Sequence, residues 1–344
     1  TLSMAPYMSC GARLTVYALF SAALFHKSGQ NIVFLLYLLG ITMAVATGWI
    51  FRRQIFRSEV SASFQEMPAY HMPVLRNILL TTWFRLRSFM FRAGKTIITV
   101  VVLLSFLNSL SFDGSFGHQN TEKSALATIG KEITPAFAPI GLTRENWPAT
   151  VGLFTGLFAK ETVVGTLDAL YSGSQATGSS GPPDLVASAR AALGSILANT
   201  HRLADELVDP LGMSIVDTSS GSNAAGQGVA NATLTNMAAA FGTSFAAFCY
   251  LVFVLLYSPC VAVMGAMAKE AGWRWMTLMF VWTTGLAYIT SSVVYQLGTI
   301  ADHPTFSLAW VSGCAIAITL SIHQLKNLGR RAVPANIIPV VQVG

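Results

Sequence analysis

Apolar positions run together along most of this chain, with too few polar residues between them for an alternating strand or a narrow amphipathic stripe. Runs of roughly 20 such residues are long enough to cross a bilayer as helices. Residues 32–51 form one, closed by Arg52 and Arg53, and residues 275–297 and 306–322 form two more, separated by the turn Asp302-His303-Pro304. Other runs are interrupted. Met4-Ala5-Pro6-Tyr7-Met8-Ser9-Cys10-Gly11-Ala12-Arg13 precedes an apolar helix that reaches Phe25. Residues 234–268 read as one inward-running span broken in its middle by Tyr257-Ser258-Pro259-Cys260. Residues 124–142 and 147–170 carry Pro135, Pro139, Lys131, Glu132, Lys160 and Glu161, a pattern that predicts a helical hairpin or a pair of broken helices. Within them Gly152 and Gly156 are spaced to let two helices approach closely. Proline removes a backbone donor and clashes with the preceding turn. At membrane depth the freed carbonyls need partners, so such breaks line a cavity or face other protein.

The pattern divides the chain into a first break and span (1–51), a linker (52–95), a span with a hairpin (96–170), a polar loop (171–230), a second break with the last spans (231–325) and a tail (326–344). Residues 77–93 of the linker mix Leu, Trp and Phe with Arg85, Arg87 and Arg92, as expected of a helix along a lipid interface. The span proper is then read from residue 96. The chain opens at Thr1 without a methionine or a charged leader, so it is expected to be part of a longer protein.

Composition agrees with lipid as the solvent. Of the 344 residues, 53% are hydrophobic and 10% charged, against roughly 25% charged in a soluble domain. The fold class expected is therefore an all-α polytopic membrane protein. The net charge of +6 is concentrated: residues 52–95 hold eight basic residues against Glu59 and Glu66. Beside membrane spans this reads as the positive-inside signal, which places the segment in the cytoplasm, rather than as a nucleic-acid surface. Residues 168–230 carry six acids and two bases and are expected outside. Lys269, Arg274, Lys326, Arg330 and Arg331 fit the same parity.

The four cysteines, Cys10, Cys249, Cys260 and Cys314, have no CxxC spacing, so neither a disulfide framework nor a local zinc motif is expected. Cys249 and Cys314 read as small buried hydrophobes. Cys10 and Cys260 each follow a proline at a break, and Met264 lies one helical turn beyond Cys260. Thiolate and thioether ligands suit soft and borderline metals. Ser9, Tyr257, Pro259 and Met264 are therefore candidate pathway residues with Cys10 and Cys260. Arg13 either holds freed carbonyls, keeps a thiol ionised or reaches to the interface. Glu161 is a further candidate, since an ionisable group inside a span costs roughly 2.5–3.5 kcal/mol; the competing reading is that the helix ends there and the charge reaches the interface. His71 and His118 are candidate ligands at the membrane faces, or plain loop histidines. Pro6 with Cys10 and Pro259-Cys260 echo each other, as do Ala159-Lys160-Glu161 and Ala268-Lys269-Glu270, which hints at an inverted repeat of broken helices. Gly94-Lys95-Thr96 resembles the end of a P-loop, but residue 89 is Phe where the first glycine belongs, so no nucleotide site is read and no catalytic motif appears.

Taken in order, Met4 to Leu14, Glu66-Met67-Pro68-Ala69-Tyr70-His71, Asn108-Ser109-Leu110, Phe158 to Leu167 and Leu256-Tyr257-Ser258-Pro259-Cys260 resemble the membrane part of the FeoB family of bacterial ferrous iron transporters. Thr15 departs from the proline of that pattern. The resemblance implies gate-like segments in inverted orientation, similar to nucleoside transporters, and Fe²⁺ as the substrate handled at Cys10 and Cys260. It implies an inner-membrane location and an N-terminal GTP-binding domain that is not in this chain, so that GTP acts only through that domain and the chain itself is not an enzyme. It also implies a small cytoplasmic accessory protein of the Feo system and a possible homo-oligomer as partners. Two other classes remain: a nucleoside-type or other solute carrier, using Asn108, Asn236 and Glu161, and a non-transporting membrane scaffold.

Overall fold

The computed structural model describes residues 4–8, 10–25, 28–55, 74–111, 124–158, 160, 162–172, 194 and 231–332. Ser9, Glu161, His71, His118 and nearly all of the polar segment 173–230 lie outside the described residues. Among the described residues the chain is helical, and the one β feature is an isolated bridge between Ser111 and Ser124.

A short 3-10 turn, Ala5–Tyr7, leads into α1 (Gly11–Leu24) and α2 (Gly29–Gln54). Next comes α3 (Leu75–Ser109), a single helix of 35 residues. The sequence divides this region into an interfacial helix and a separate span. The structure joins them, because no proline interrupts residues 75–109 and Gly94 alone does not break a helix. α4 (Ala125–Ile133) starts at Ser124, whose hydroxyl accepts the Ala127 N–H at 3.1 Å. It tightens into a 3-10 stretch, Thr134–Ile140, where Pro135 and Pro139 rule out regular α-helix.

α5 (Trp147–Phe158) and α6 (Thr162–Tyr171) form an antiparallel hairpin. The pairing is set by glycines: a Cβ on Gly152 would stand 2.8 Å from Leu167, and one on Gly156 2.6 Å from Val163. At 12 and 10 residues each arm is only about half as long as the roughly 30 Å hydrocarbon core is thick. Its base is tied by Tyr171 donating to Asn146, by Tyr250 donating to the Ala149 carbonyl (3.0 Å) and by Asn236 donating to the Tyr171 carbonyl (2.7 Å).

The run 234–268 is broken at Tyr257–Cys260 as expected and once more at residues 242–243, giving three helices: α7 (Asn231–Phe241), α8 (Ser244–Leu256) and α9 (Val261–Ala271). The first two meet at 98°. Gly242, at φ +66°, makes that turn, a conformation open to glycine and costly for other residues. α10 (Trp273–Gly298) and α11 (Pro304–Ala332) complete the chain. Among the described residues Gly29–Gln54, Trp273–Gly298 and Pro304–Asn327 are long and apolar enough to cross a membrane.

α8 is apolar on every side and buried from Tyr250 to Leu256, as a helix at the centre of a bundle must be. Tyr250 stacks on Phe20 of α1, centroids 5.1 Å apart, and meets Phe241 edge-on at 5.3 Å. α10 packs along α8 and also serves the 3-10 stretch: Tyr288 donates to the Ala136 carbonyl at 2.7 Å and Gln296 to the Pro139 carbonyl at 3.3 Å. Carbonyls freed by a break are thus taken up by side chains of a neighbouring helix, which an apolar interior requires.

Candidate functional site

Tyr257 stands between α8 and α9, 4% exposed and in extended conformation. Its ring stacks on Phe253 with centroids 5.5 Å apart. Electrostatically it lies within reach of Arg13, Cys260, Tyr17 and Cys10. The hairpin comes to the same point: a Cβ on Gly156 would sit 2.6 Å from the Tyr257 hydroxyl, and the Lys160 ammonium is 4.5 Å from the ring centroid. Three helix interruptions therefore converge on one phenol: the break before α1, the break before α9 and the turn of the α5–α6 hairpin.

The two proline-linked cysteines occupy like positions. Cys10 is the N-cap residue of α1 and Cys260 that of α9, both with extended backbone. Neither thiol makes a capping hydrogen bond, and both are free of disulfide. Cys10 is exposed and Cys260 half-buried, while Cys249 and Cys314 are buried as expected. The second echo falls on unlike structures, for Lys160 is in a buried hairpin turn and Lys269 is exposed in the last turn of α9.

Arg13 settles among its three sequence readings by geometry. It is 2% exposed and donates to the Pro6 carbonyl (3.0 Å) and the Met8 carbonyl (3.1 Å). A residue one turn into α1 thus clamps the break that precedes it. At the second break Ser258, fully buried, donates to the Pro259 carbonyl at 3.2 Å and approaches the Met264 sulfur at 3.4 Å. Met264 in turn packs on a cluster with Met267, Met276, Met279 and Phe51.

Sequence reasoning did not find the role of Lys160 or Tyr17 beside Tyr257. The Gly152–Gly156 spacing signalled close packing, yet not that Tyr257 would be one of the surfaces approached. Among the described residues no group of three or more His, Cys, Asp or Glu side chains is arranged to hold a metal ion. A cavity of about 140 Å³ adjoins Tyr257, walled by Leu126, Ile133, Phe137, Phe154 and Phe253, with Thr150 and Thr284 as further polar side chains.

Interrupted spans, a short helical hairpin and a shared junction define a polytopic membrane protein with gate-type helices. Residues 90–274 match the Gate family, described as nucleoside recognition, and residues 33–85 match the ferrous iron transport protein B C terminus. The chain belongs to the Gate family and corresponds to the C-terminal membrane region of FeoB. The Fe(2+) transporter FeoB of Legionella pneumophila is 42% identical over 344 residues, covering 98% of this chain and 44% of that protein. The Fe(2+) transporter FeoB of Salmonella typhimurium is 42% identical over 343 residues, covering 96% of this chain and 42% of its own length. The chain thus spans less than half the length of these relatives. No solved structure matches it.

Proposed function

We propose that this chain forms the permeation part of a bacterial inner-membrane ferrous iron transporter, in which Fe²⁺ is handed between Cys10 and Cys260 past Tyr257. The observation that carries this reading is the shared position of the two cysteines, each at the start of a helix after a proline break and each within electrostatic reach of the same phenol. The names of the relatives supply the ion. Thiolates suit a borderline divalent metal. Tyr257, the Pro259 carbonyl and Met264 would line the path at the second break, Ser9 at the first and Glu161 at the hairpin. The sparse ligand set suits transport, because a conducted ion must bind weakly enough to leave.

In the full-length protein an N-terminal GTP-binding domain would act on this gate through the basic segment 52–95 on the cytoplasmic side. A small cytoplasmic accessory protein and a homo-oligomer belong to the same proposal. The test is Fe²⁺ uptake by the full-length protein carrying Cys10→Ser or Cys260→Ser. Each is expected to lower uptake about tenfold or more, as losses at metal sites do. Wild-type uptake in both variants would remove the thiol pathway.

The family description of nucleoside recognition favours a second reading, a nucleoside-type carrier. The interior offers it little. Asn236 is engaged with the Tyr171 carbonyl, and the cavity beside Tyr257 is walled almost wholly by apolar side chains. A nucleoside base needs several placed polar partners. Saturable nucleoside uptake independent of metal would establish this reading over the first.

A further inference from the structure

Between α10 and α11 runs a groove of about 200 Å³, walled by Leu278, Trp282, Gly285 and Ile289 of α10 and by Ile318 and Leu325 of α11. From Leu278 to Ile289 it follows about 16 Å of helix, the depth of one leaflet in a hydrocarbon core roughly 30 Å thick. One end is marked by charge. Leu278 and Leu325 belong to the same apolar cluster, Arg274 lies one helical turn before Leu278, and Lys326 follows Leu325 directly. Neither helix carries an acidic side chain. Ser321 and Gln324 line the groove toward that same end. Leu308, Ile316 and Leu320 of α11 stand exposed, an apolar outer surface that lipid rather than water would cover. The groove also reaches the first break. Trp282 meets Phe51 of α2 edge-on at 5.4 Å, and its indole lies beside the Tyr7 hydroxyl. Tyr7 follows Pro6, whose carbonyl Arg13 holds.

We propose that the α10–α11 groove binds one anionic phospholipid of the cytoplasmic leaflet, its acyl chain along Trp282 and Gly285 and its phosphate at Arg274 and Lys326. An apolar wall one leaflet deep, then two polar side chains, then two basic ones follow the chain, esters and phosphate of such a molecule in order. Basic side chains at the inner face attract anionic headgroups, and the positive-inside rule makes the basic end the inner one. A second copy of the chain seated in the groove would have no use for charge at one end alone. The bound chain lies against a tryptophan that braces the first break, so the lipid steadies the segment carrying Cys10. The inference goes beyond the thiol pathway and does not depend on it.

The test is lipid titration of the purified full-length protein in neutral detergent, read by native mass spectrometry, with phosphatidylglycerol as the anionic probe and phosphatidylcholine as the neutral one. The parent is expected to retain one phosphatidylglycerol in preference to phosphatidylcholine. Nothing lies within 4 Å of a would-be Cβ on Gly285, so Gly285→Leu fills the groove without disturbing its packing. That variant is expected to bind phosphatidylglycerol about tenfold more weakly, as the loss of a few buried methylenes requires. If it does not fold, Gly285→Met carries the same expectation and the same refutation. Lys326→Gln and Arg274→Gln are each expected to weaken phosphatidylglycerol about fivefold and leave phosphatidylcholine unchanged. Equal retention of the two lipids by the parent overturns the proposal. So does parent-like phosphatidylglycerol binding in the groove-filling variant, or in both charge variants. Loss of a dimer in Gly285→Leu with lipid binding unchanged assigns the groove to a second copy and overturns it as well.

Discussion

Gly156 lies directly against the Tyr257 hydroxyl, where a Cβ would be 2.6 Å from the oxygen and equally close to Val163. The contact joins the α5–α6 hairpin to the break before α9. Neither neighbour has room to retreat, since Tyr257 and Val163 are both buried. Gly156→Ala is expected to cost about 1–3 kcal/mol by overpacking. Gly165, on the next arm of the same hairpin, has nothing within 4 Å of its would-be Cβ. Gly165→Ala should be neutral or stabilising by up to about 1 kcal/mol through helix propensity. Thermal unfolding in detergent of the two variants side by side checks the contrast; equal shifts would show that the hairpin does not press on Tyr257.

Arg13 should be structurally irreplaceable. Arg13→Met strands the buried Pro6 carbonyl and the partly buried Met8 carbonyl, at about 1–3 kcal/mol for each group left without a partner. Arg13→Lys is expected to recover only part of this, because an ammonium lacks the planar fork that reaches two acceptors. Melting temperatures in the order wild type, Lys, Met are the expected outcome. A lysine variant as stable as wild type would mean that the charge, not the fork, holds the break.

The four thiols should separate by reactivity. Cys10 is exposed, Cys260 half-buried, and Cys249 and Cys314 buried. A water-soluble maleimide is expected to label Cys10 first and Cys260 more slowly, leaving the other two until the protein is unfolded. Mass spectrometry of a labelling time course reads the order directly. A Cys10 that stays unlabelled would put its exposed side against lipid rather than water.

Gly242 should be sensitive for a backbone reason alone. Its φ of +66° sets the sharp turn between α7 and α8, and no atom lies within 4 Å of a would-be Cβ. Gly242→Ala is expected to cost about 1–2 kcal/mol, and Gly242→Asn less, because asparagine tolerates the left-handed region better. If both variants melt like the parent, the turn is not held in that conformation in solution.

The amino-acid sequence by itself determined that the chain is helical and membrane-embedded, where its spans are interrupted, and which cysteines sit at the interruptions. Those features are local: apolar run length sets the span, and proline and glycine act on their own turn. It also supplied Arg13 as one candidate holder of freed carbonyls among three readings, and the bonds to the Pro6 and Met8 carbonyls chose between them. The tertiary structure alone decided that the breaks at Cys10 and Cys260 and the hairpin turn at Lys160 meet around Tyr257. Residues 10, 160 and 257 are far apart along the chain, and the apolar surfaces that bring them together are too alike in composition to specify partners. What selects the pairing is shape: Gly156 admits Tyr257, Gly152 admits Leu167, and Tyr250 reaches the Ala149 carbonyl only in this packing. In 234–268 the break at Tyr257–Cys260 was legible in the sequence but the turn at Gly242 was not, since hydropathy counts apolar residues and does not register a single glycine with a positive φ.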